Sequence, residues 1–298
     1  MKTKSTFSIR AVCHSFVGVV CAGAAMLISS SAPAQNLFEA DRGSGNIYEF
    51  TPGGMQSTFA SGLNAPLGLA FNSAGNLFES DYGSGNIYEF TPGGVQTTFV
   101  SGLNAPDGLA FNSAGDLFMV SAGLNSIYEY TPGGAHTTFA SGLNNPNGLA
   151  FNSAGDLFVA DWGSGNIYEF TPGGVRSTFA SGLADPWGLA FNSAGDLFVA
   201  NYGSGNIYEF TPDGVQSTFA SGLINPLGLA FDSAGDLFEA DYGSGNIYEY
   251  TPGGAQTTFA SGLSNPAGLA FQPVPEPSAL GLLAVGAAAF LVRRRWHP

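Results

Sequence analysis

The chain has 298 residues, of which only 10% are charged, a formal charge of −14, and an abundance of Gly (43) and Phe (25). That balance excludes a disordered acidic tail, which would lack the aromatic residues for a core, and a basic nucleic-acid binder. The chain is acidic and it folds.

At the N-terminus Lys2, Lys4 and Arg10 precede an apolar run from about Ala11 to Ile28, and Ser-rich residues then lead to Ala32-Pro33-Ala34. A basic start, a short apolar run and an A-x-A site predict a secretory signal peptide over 1–34, cleaved after Ala34. The alternative, an N-terminal anchor helix, is opposed by the shortness of the run and by His14 and Ser15 within it. Val20 before Cys21 argues against a lipoprotein signal. Both cysteines, Cys13 and Cys21, fall inside the signal, so the mature chain would have no thiol for a disulfide, a zinc site or a nucleophile.

Residues 35–272 repeat one forty-residue unit. Tyr48, Tyr88, Tyr128, Tyr168, Tyr208 and Tyr248 mark the period without a single insertion. In the fourth unit, strands are predicted over 148–151, 156–160, 167–170 and 175–180. Asn152-Ser153-Ala154-Gly155 reads as a tight turn, and Thr171-Pro172-Gly173-Gly174 as a type II turn with Gly173 left-handed. Four antiparallel strands per unit predict a propeller blade, and Phe recurring in phase predicts that both blade faces pack on neighbours. The repeat begins in a second strand near Asn36 and ends after a first strand at Phe271. Pairing these two closes an all-β, six-bladed propeller with no long open edge between its ends. An open β-solenoid, the alternative, would not need the offset. Period and phrasing over 36–271 resemble NHL-repeat propellers and the gluconolactonase and senescence-marker-protein family.

These residues hold 21 Asp and Glu against two bases, Arg42 and Arg176, a charge of −19. Such a surface repels phosphate, so neither nucleic acid nor lipid headgroups are expected as partners. Compared copy against copy, the N/D-S-A-G and T-P-G/D-G turns hardly change. Variation gathers on the opposite face: at the end of the second strand, at the pair before each proline, and at the letter of P-x-G (Leu67, Asp107, Asn147, Trp187, Leu227, Ala267). That letter opens the innermost strand and is expected to ring the mouth of the central channel. The candidate ligand-binding residues on this face are Asp107, Asn147, Asp161, Trp162, Asp185, Trp187 and Tyr202. Aromatic rings interleaved with Asn and Asp suit sugar stacking and hydroxyl recognition, although the same rings could merely cover blade ends.

The gluconolactonase resemblance implies a divalent metal, such as calcium, held by oxygen ligands in N-G-L-A and P-D-G phrases, which match Asn147 and Asp107 here. The other mouth letters depart from that pattern, and the family's early glutamate has no matching phrase. His136, alone of its kind in the mature domain, reads as a solvated strand-end residue rather than a triad member. Asp-x-Gly-Ser-Gly-Asn reads as a glycine turn capped by its own Asp and Asn, not as a calcium loop. The six glutamates of Ile-Tyr-Glu, Glu49 to Glu249, read as solvated strand residues far from the mouth.

Residues 273–298 carry a second address. Pro275, Glu276 and Pro277 precede an apolar stretch from Ala279 to Val292, and Arg293, Arg294 and Arg295 follow. This tail resembles PEP-CTERM sorting signals. The stretch is at the short end for a membrane-spanning helix, and its arginines would stay cytoplasmic. The resemblance implies an exosortase-type processing enzyme as partner, a transient inner-membrane anchor, and release to the surface or matrix of an exopolysaccharide-making Gram-negative bacterium. A permanent anchor is the alternative. The reading is an exported, non-enzymatic binding module for a polysaccharide, such as an exopolysaccharide, or for an extracellular protein. The alternative is a divalent-metal-dependent hydrolase or lyase resembling gluconolactonase.

Overall fold

The computed structural model describes residues 35–274. The predicted signal peptide, with Ala32 and Ala34, and the sorting residues Pro275, Glu276, Pro277, Arg293, Arg294 and Arg295 lie outside the described residues. Among those described, no helix is long and apolar enough to cross a membrane.

Six four-stranded antiparallel sheets form the six blades of a propeller. Blade 1 runs outward through Pro266–Phe271, Leu37–Asp41, Asn46–Phe50 and Gln56–Ser61. Blades 2 to 6 are continuous in sequence and begin with Pro66–Phe71, Pro106–Phe111, Pro146–Phe151, Pro186–Phe191 and Pro226–Phe231. The predicted closure is present: Leu37 stands opposite Phe271, Phe38 opposite Ala270, and Glu39 opposite Leu269. The Gln272 amide then donates to the Asn36 carbonyl at 2.9 Å.

Apolar clusters lie between neighbouring blades. Phe158 and Ile167 of one blade pack with Leu189, Val199 and Phe210 of the next. Phe158 meets Phe179 and Phe191 edge-on at 5.1 and 5.0 Å, the geometry aromatic quadrupoles favour. The same trio recurs around the ring, which accounts for most of the phenylalanine.

Two details of the turns differ from the sequence reading. In T-P-G-G the left-handed residue is the second glycine, Gly174 at φ 77°, not Gly173. Gly174 N–H donates to the Thr171 carbonyl at 2.8 Å and Thr171 N–H to Val175 at 3.0 Å, a type I turn closed by a glycine bulge. Asp213 therefore fits in T-P-D-G, because its position needs no positive φ. Each innermost strand also starts at its proline rather than after it, as in Pro146–Phe151.

The invariance of the glycine in P-x-G has a steric cause. A Cβ on Gly148 would overlap the Trp187 carbonyl oxygen of the next blade, and one on Gly188 the Leu227 oxygen. The contact continues through all six blades to Gly268, which abuts Leu67. Innermost strands thus approach too closely for any side chain at this point.

Candidate functional site

Each mouth residue is placed by its local backbone. The residue before the proline is left-handed in all six copies: Ala65, Ala105, Asn145, Asp185, Asn225 and Asn265 have φ between 50° and 62°. Asn and Asp tolerate this region better than Ala does, so the pair before the proline varies under a backbone constraint. Asp185 fits that constraint; it is half-buried and its carbonyl accepts the Tyr202 amide at 3.1 Å.

The six mouth letters converge as predicted, but into two unlike halves. Leu67, Leu227 and Ala267 form one buried cluster, with Trp187, Tyr202 and Tyr242 packed against it. Trp162 completes the aromatic group, with its ring 5.1 Å from Trp187 and 5.0 Å from Tyr202. All four rings are half-buried, so each keeps some exposed surface. Across the axis stand Asp107 and Asn147, 3% and 2% exposed. The Asn147 side-chain nitrogen has no hydrogen-bond partner. Burial raises the Asp107 pKa to about 7, and the charge of Arg42 only partly offsets this. Below the mouth a central cavity of about 170 Å³ is lined by Asp107, Trp187, Ala267 and the channel-facing Leu69, Leu149 and Leu229.

Arg42, a site residue that the sequence reading did not single out, reaches over this mouth from blade 1. Its guanidinium donates to the Tyr242 hydroxyl at 3.2 Å and lies 5.8 Å from the centre of the Tyr82 ring. Its Nε is buried without a partner.

Asp161 belongs to the scaffold, which corrects its expected role. It is fully buried, and its two oxygens accept from the Asn144 amide at 2.8 Å and from the Ser164 hydroxyl at 2.7 Å. Asp41, Asp81 and Asp241 make the same latch to Ser264, Asn64 and Ile224. Each ties the loop entering its own blade's innermost strand to the end of the second strand. The glycine turn that follows is capped by these aspartates, as the sequence suggested, with Ser44 N–H donating to Asp41 at 2.9 Å; its Asn, expected to cap the backbone too, instead donates to a tyrosine hydroxyl, as Asn46 does to Tyr48 at 2.9 Å.

A second set of residues went unnoticed in the sequence. Glu39, Glu79 and Glu239 occupy the centre of the second strand in blades 1, 2 and 6, are 0% exposed, and have no hydrogen-bond partner on either oxygen. Desolvation pushes all three well above the usual carboxylate range, and Asp41, Asp81 and Asp241 add to it. For Glu39 the Ala267 backbone offsets this in part. The equivalent residues in blades 3, 4 and 5 are Met119, Val159 and Val199, all core. The signal was available as L-F-E-A-D and L-F-E-S-D beside L-F-V-A-D. The Ile-Tyr-Glu glutamates are half-buried rather than fully solvated, and Glu49 accepts from Asn36 at 2.6 Å. His136 is exposed on an outermost strand, 5.1 Å from the Tyr130 ring.

The implied calcium site does not fit the residues present. Calcium takes about six to eight oxygens, whereas Asp107 and Asn147 are joined at the mouth by Leu67, Trp187, Leu227 and Ala267. Among the described residues no group of three or more His, Cys, Asp or Glu is placed to hold a metal ion.

This site sits on a six-bladed propeller, and residues 273–295 match the PEP-CTERM protein-sorting motif. The motif is a sorting signal associated with exosortase processing, and it marks an exported protein. No curated protein sequence matches the chain. Solved structures share the fold. A propeller from a nidogen/laminin complex superposes with TM-score 0.74 at 20% identity, covering 81% of this chain and 99% of that one. Virginiamycin B lyase from Staphylococcus aureus gives 0.64 at 15%, covering 80% and 86%. A putative gluconolactonase gives 0.63 at 18%, covering 70% and 82%. At these identities the likeness is one of fold, and fold alone does not assign an activity.

Proposed function

We propose that the chain is a non-enzymatic binding module whose channel-mouth face takes a polysaccharide outside the cytoplasm. The observation that carries this reading is the split mouth. Trp162, Trp187 and Tyr202 offer ring surface, and at the same mouth Asn147 keeps a side-chain nitrogen without a partner and Asp107 a buried carboxyl. Sugars are held by that combination, rings on rings and hydroxyls on amide or carboxyl groups. The test is a glycan array and an exopolysaccharide pull-down with the Trp162→Ala, Trp187→Ala double variant. Loss of binding supports the site, and undiminished binding refutes it. An extracellular protein ligand would show as capture by protein and not by glycan.

The sorting signal favours a route in which residues 1–34 direct export and are removed, the tail holds the propeller at the inner membrane of a Gram-negative cell, and an exosortase releases it to the surface. Mass spectrometry of the exported protein tests this: the N-terminus should be Gln35 and the arginine tail should be missing.

The second reading is a divalent-metal hydrolase or lyase resembling gluconolactonase. The adjacent, buried Asp107 and Asn147 favour it, and the sparse oxygen set opposes it. Metal analysis of the purified protein with a lactone screen separates the two, since this reading requires both a bound metal and turnover.

A further inference from the structure

The outermost strands carry a different message from the mouth. In every blade the sheet ends at its fourth strand, so the ring presents six open β-edges. Proteins that stay apart guard such edges with charge, especially Lys, or with proline. These edges have almost none of either. Gln56–Ser61, Gln96–Val100, Gln216–Ser221 and Gln256–Ser261 contain no charged residue and no proline, and none of the 21 acidic residues of the domain falls on any of the six. Arg176 is the one formal charge among them, and it is folded back, 4.9 Å from the centre of the Tyr168 ring. Just before four of the edges stand Met55, Val95, Val175 and Val215, 72, 63, 68 and 65% exposed. Each edge has one bulge against its inner neighbour, as between Ile47 and Tyr48, which bends its far half and leaves the near half, Gln56 to Thr58 in blade 1, straight and exposed.

We propose that these edges pair with the edges of a second copy of this chain, joining blades of two propellers into one continuous sheet. The occupant is argued from charge. Two domains of charge −19 repel at almost any approach, and the outermost strands bear no carboxylate of their own; the nearest, the Ile-Tyr-Glu glutamates, lie one strand further in, are half-buried, and in two blades accept from the edge hydroxyls of Ser177 and Thr257. It is also argued from sameness: the straight segments read Q-S-T or Q-T-T in four blades, so an edge that fits one copy fits its own equivalent about a two-fold axis. All six outermost strands run in the same direction relative to the ring axis, so antiparallel pairing inverts the second copy. Its remaining edges stay open, and assembly does not stop at two. Polysaccharide binding is no part of this argument.

Sedimentation velocity of the purified full chain in detergent, across a range of concentrations, tests it. The wild type is expected to form concentration-dependent assemblies beyond the dimer. Two variants substitute the six exposed edge threonines, Thr58, Thr98, Thr138, Thr178, Thr218 and Thr258, all to Lys in one and all to Glu in the other. Both should sediment as single chains at every concentration, with unchanged far-ultraviolet circular dichroism. They keep the apolar tail, so any association through the tail survives in them. A wild type that is a single chain throughout overturns the proposal. So do assemblies that persist in both variants, or that dissolve in only one, which would mark general charge repulsion. If a variant loses its circular dichroism, hydrogen exchange of the wild type decides: outermost-strand amides should gain protection as concentration rises, and unchanged exchange overturns the proposal.

Discussion

Replacing Glu39, Glu79 and Glu239 together by Met, the residue that blade 3 has at the same position, should stabilise the protein in a pH-dependent way. Met is close to Glu in volume, and Met119 shows that the interface accepts it with no exposure. Each glutamate has its folded-state pKa raised above 4.5 by desolvation. In the window between the unfolded and folded values the unfolded chain has released the proton and the folded chain still holds it. Stability is therefore fully present below about pH 4.5, is lost as pH rises toward the folded values, and stays lost above them. Within that window one group removes ~1.4 kcal/mol per pH unit, and three together ~4 kcal/mol per pH unit where their windows overlap. Urea denaturation of wild type and triple variant, followed by circular dichroism at a series of pH values from about 4 upward, measures the difference. The variant should lose this part of the slope and keep only the shallower dependence common to both chains, which comes from repulsion among the remaining carboxylates. Parallel curves for the two proteins, or a variant less stable at neutral pH, would refute the reasoning.

Three further outcomes follow from the same structure. Asp107→Asn, which installs the residue of the next blade's mouth, should stabilise by up to ~4 kcal/mol above pH 7 and by progressively less toward pH 4, because the Asp107 pKa moves from 3.8 to about 7 on folding; equal denaturation midpoints at pH 8 would contradict it. Gly148→Ala forces a methyl onto the Trp187 carbonyl and should cost at least ~1–3 kcal/mol, read as a lowered thermal midpoint. Ala65→Asn with Ala105→Asn relieves two left-handed alanines using the residue found at 145, 225 and 265, and should raise stability by up to ~1 kcal/mol at each site, measured by the same melt.

Much of the fold was legible because a propeller is written by local repetition. The forty-residue period fixed the blade, six tyrosines fixed the count, and the start in a second strand foretold the pairing of Leu37 with Phe271. Convergence of the P-x-G letters at the mouth was legible for the same reason. The turn type was misread because Gly173 and Gly174 are the same letter; Asp213, less favoured than glycine at the left-handed third position of a type II turn, held the clue. Asp161 was taken for a ligand residue because variation marked its position. The structure shows why it varies within limits: Asn201 and Ser121 stand there as well, and Ser121 makes a related latch to Asn104 at 2.7 Å.

By itself the sequence determined blade number, strand order, the acidity of the domain and the sorting motif over 273–295, since these are written in local repeats and motifs, and the offset of the repeat foretold ring closure. Only the tertiary structure decided which carboxyl groups are buried without partners, which aspartates serve as latches, and that Arg42 joins the mouth residues through Tyr242 and Tyr82. Those properties depend on how strands and neighbouring blades pack: Asp161 meets Asn144 across its own blade, whereas the buried glutamates and the mouth are enclosed by more than one blade. A carboxylate in a strand looks the same on the page whether water or the next blade stands beside it.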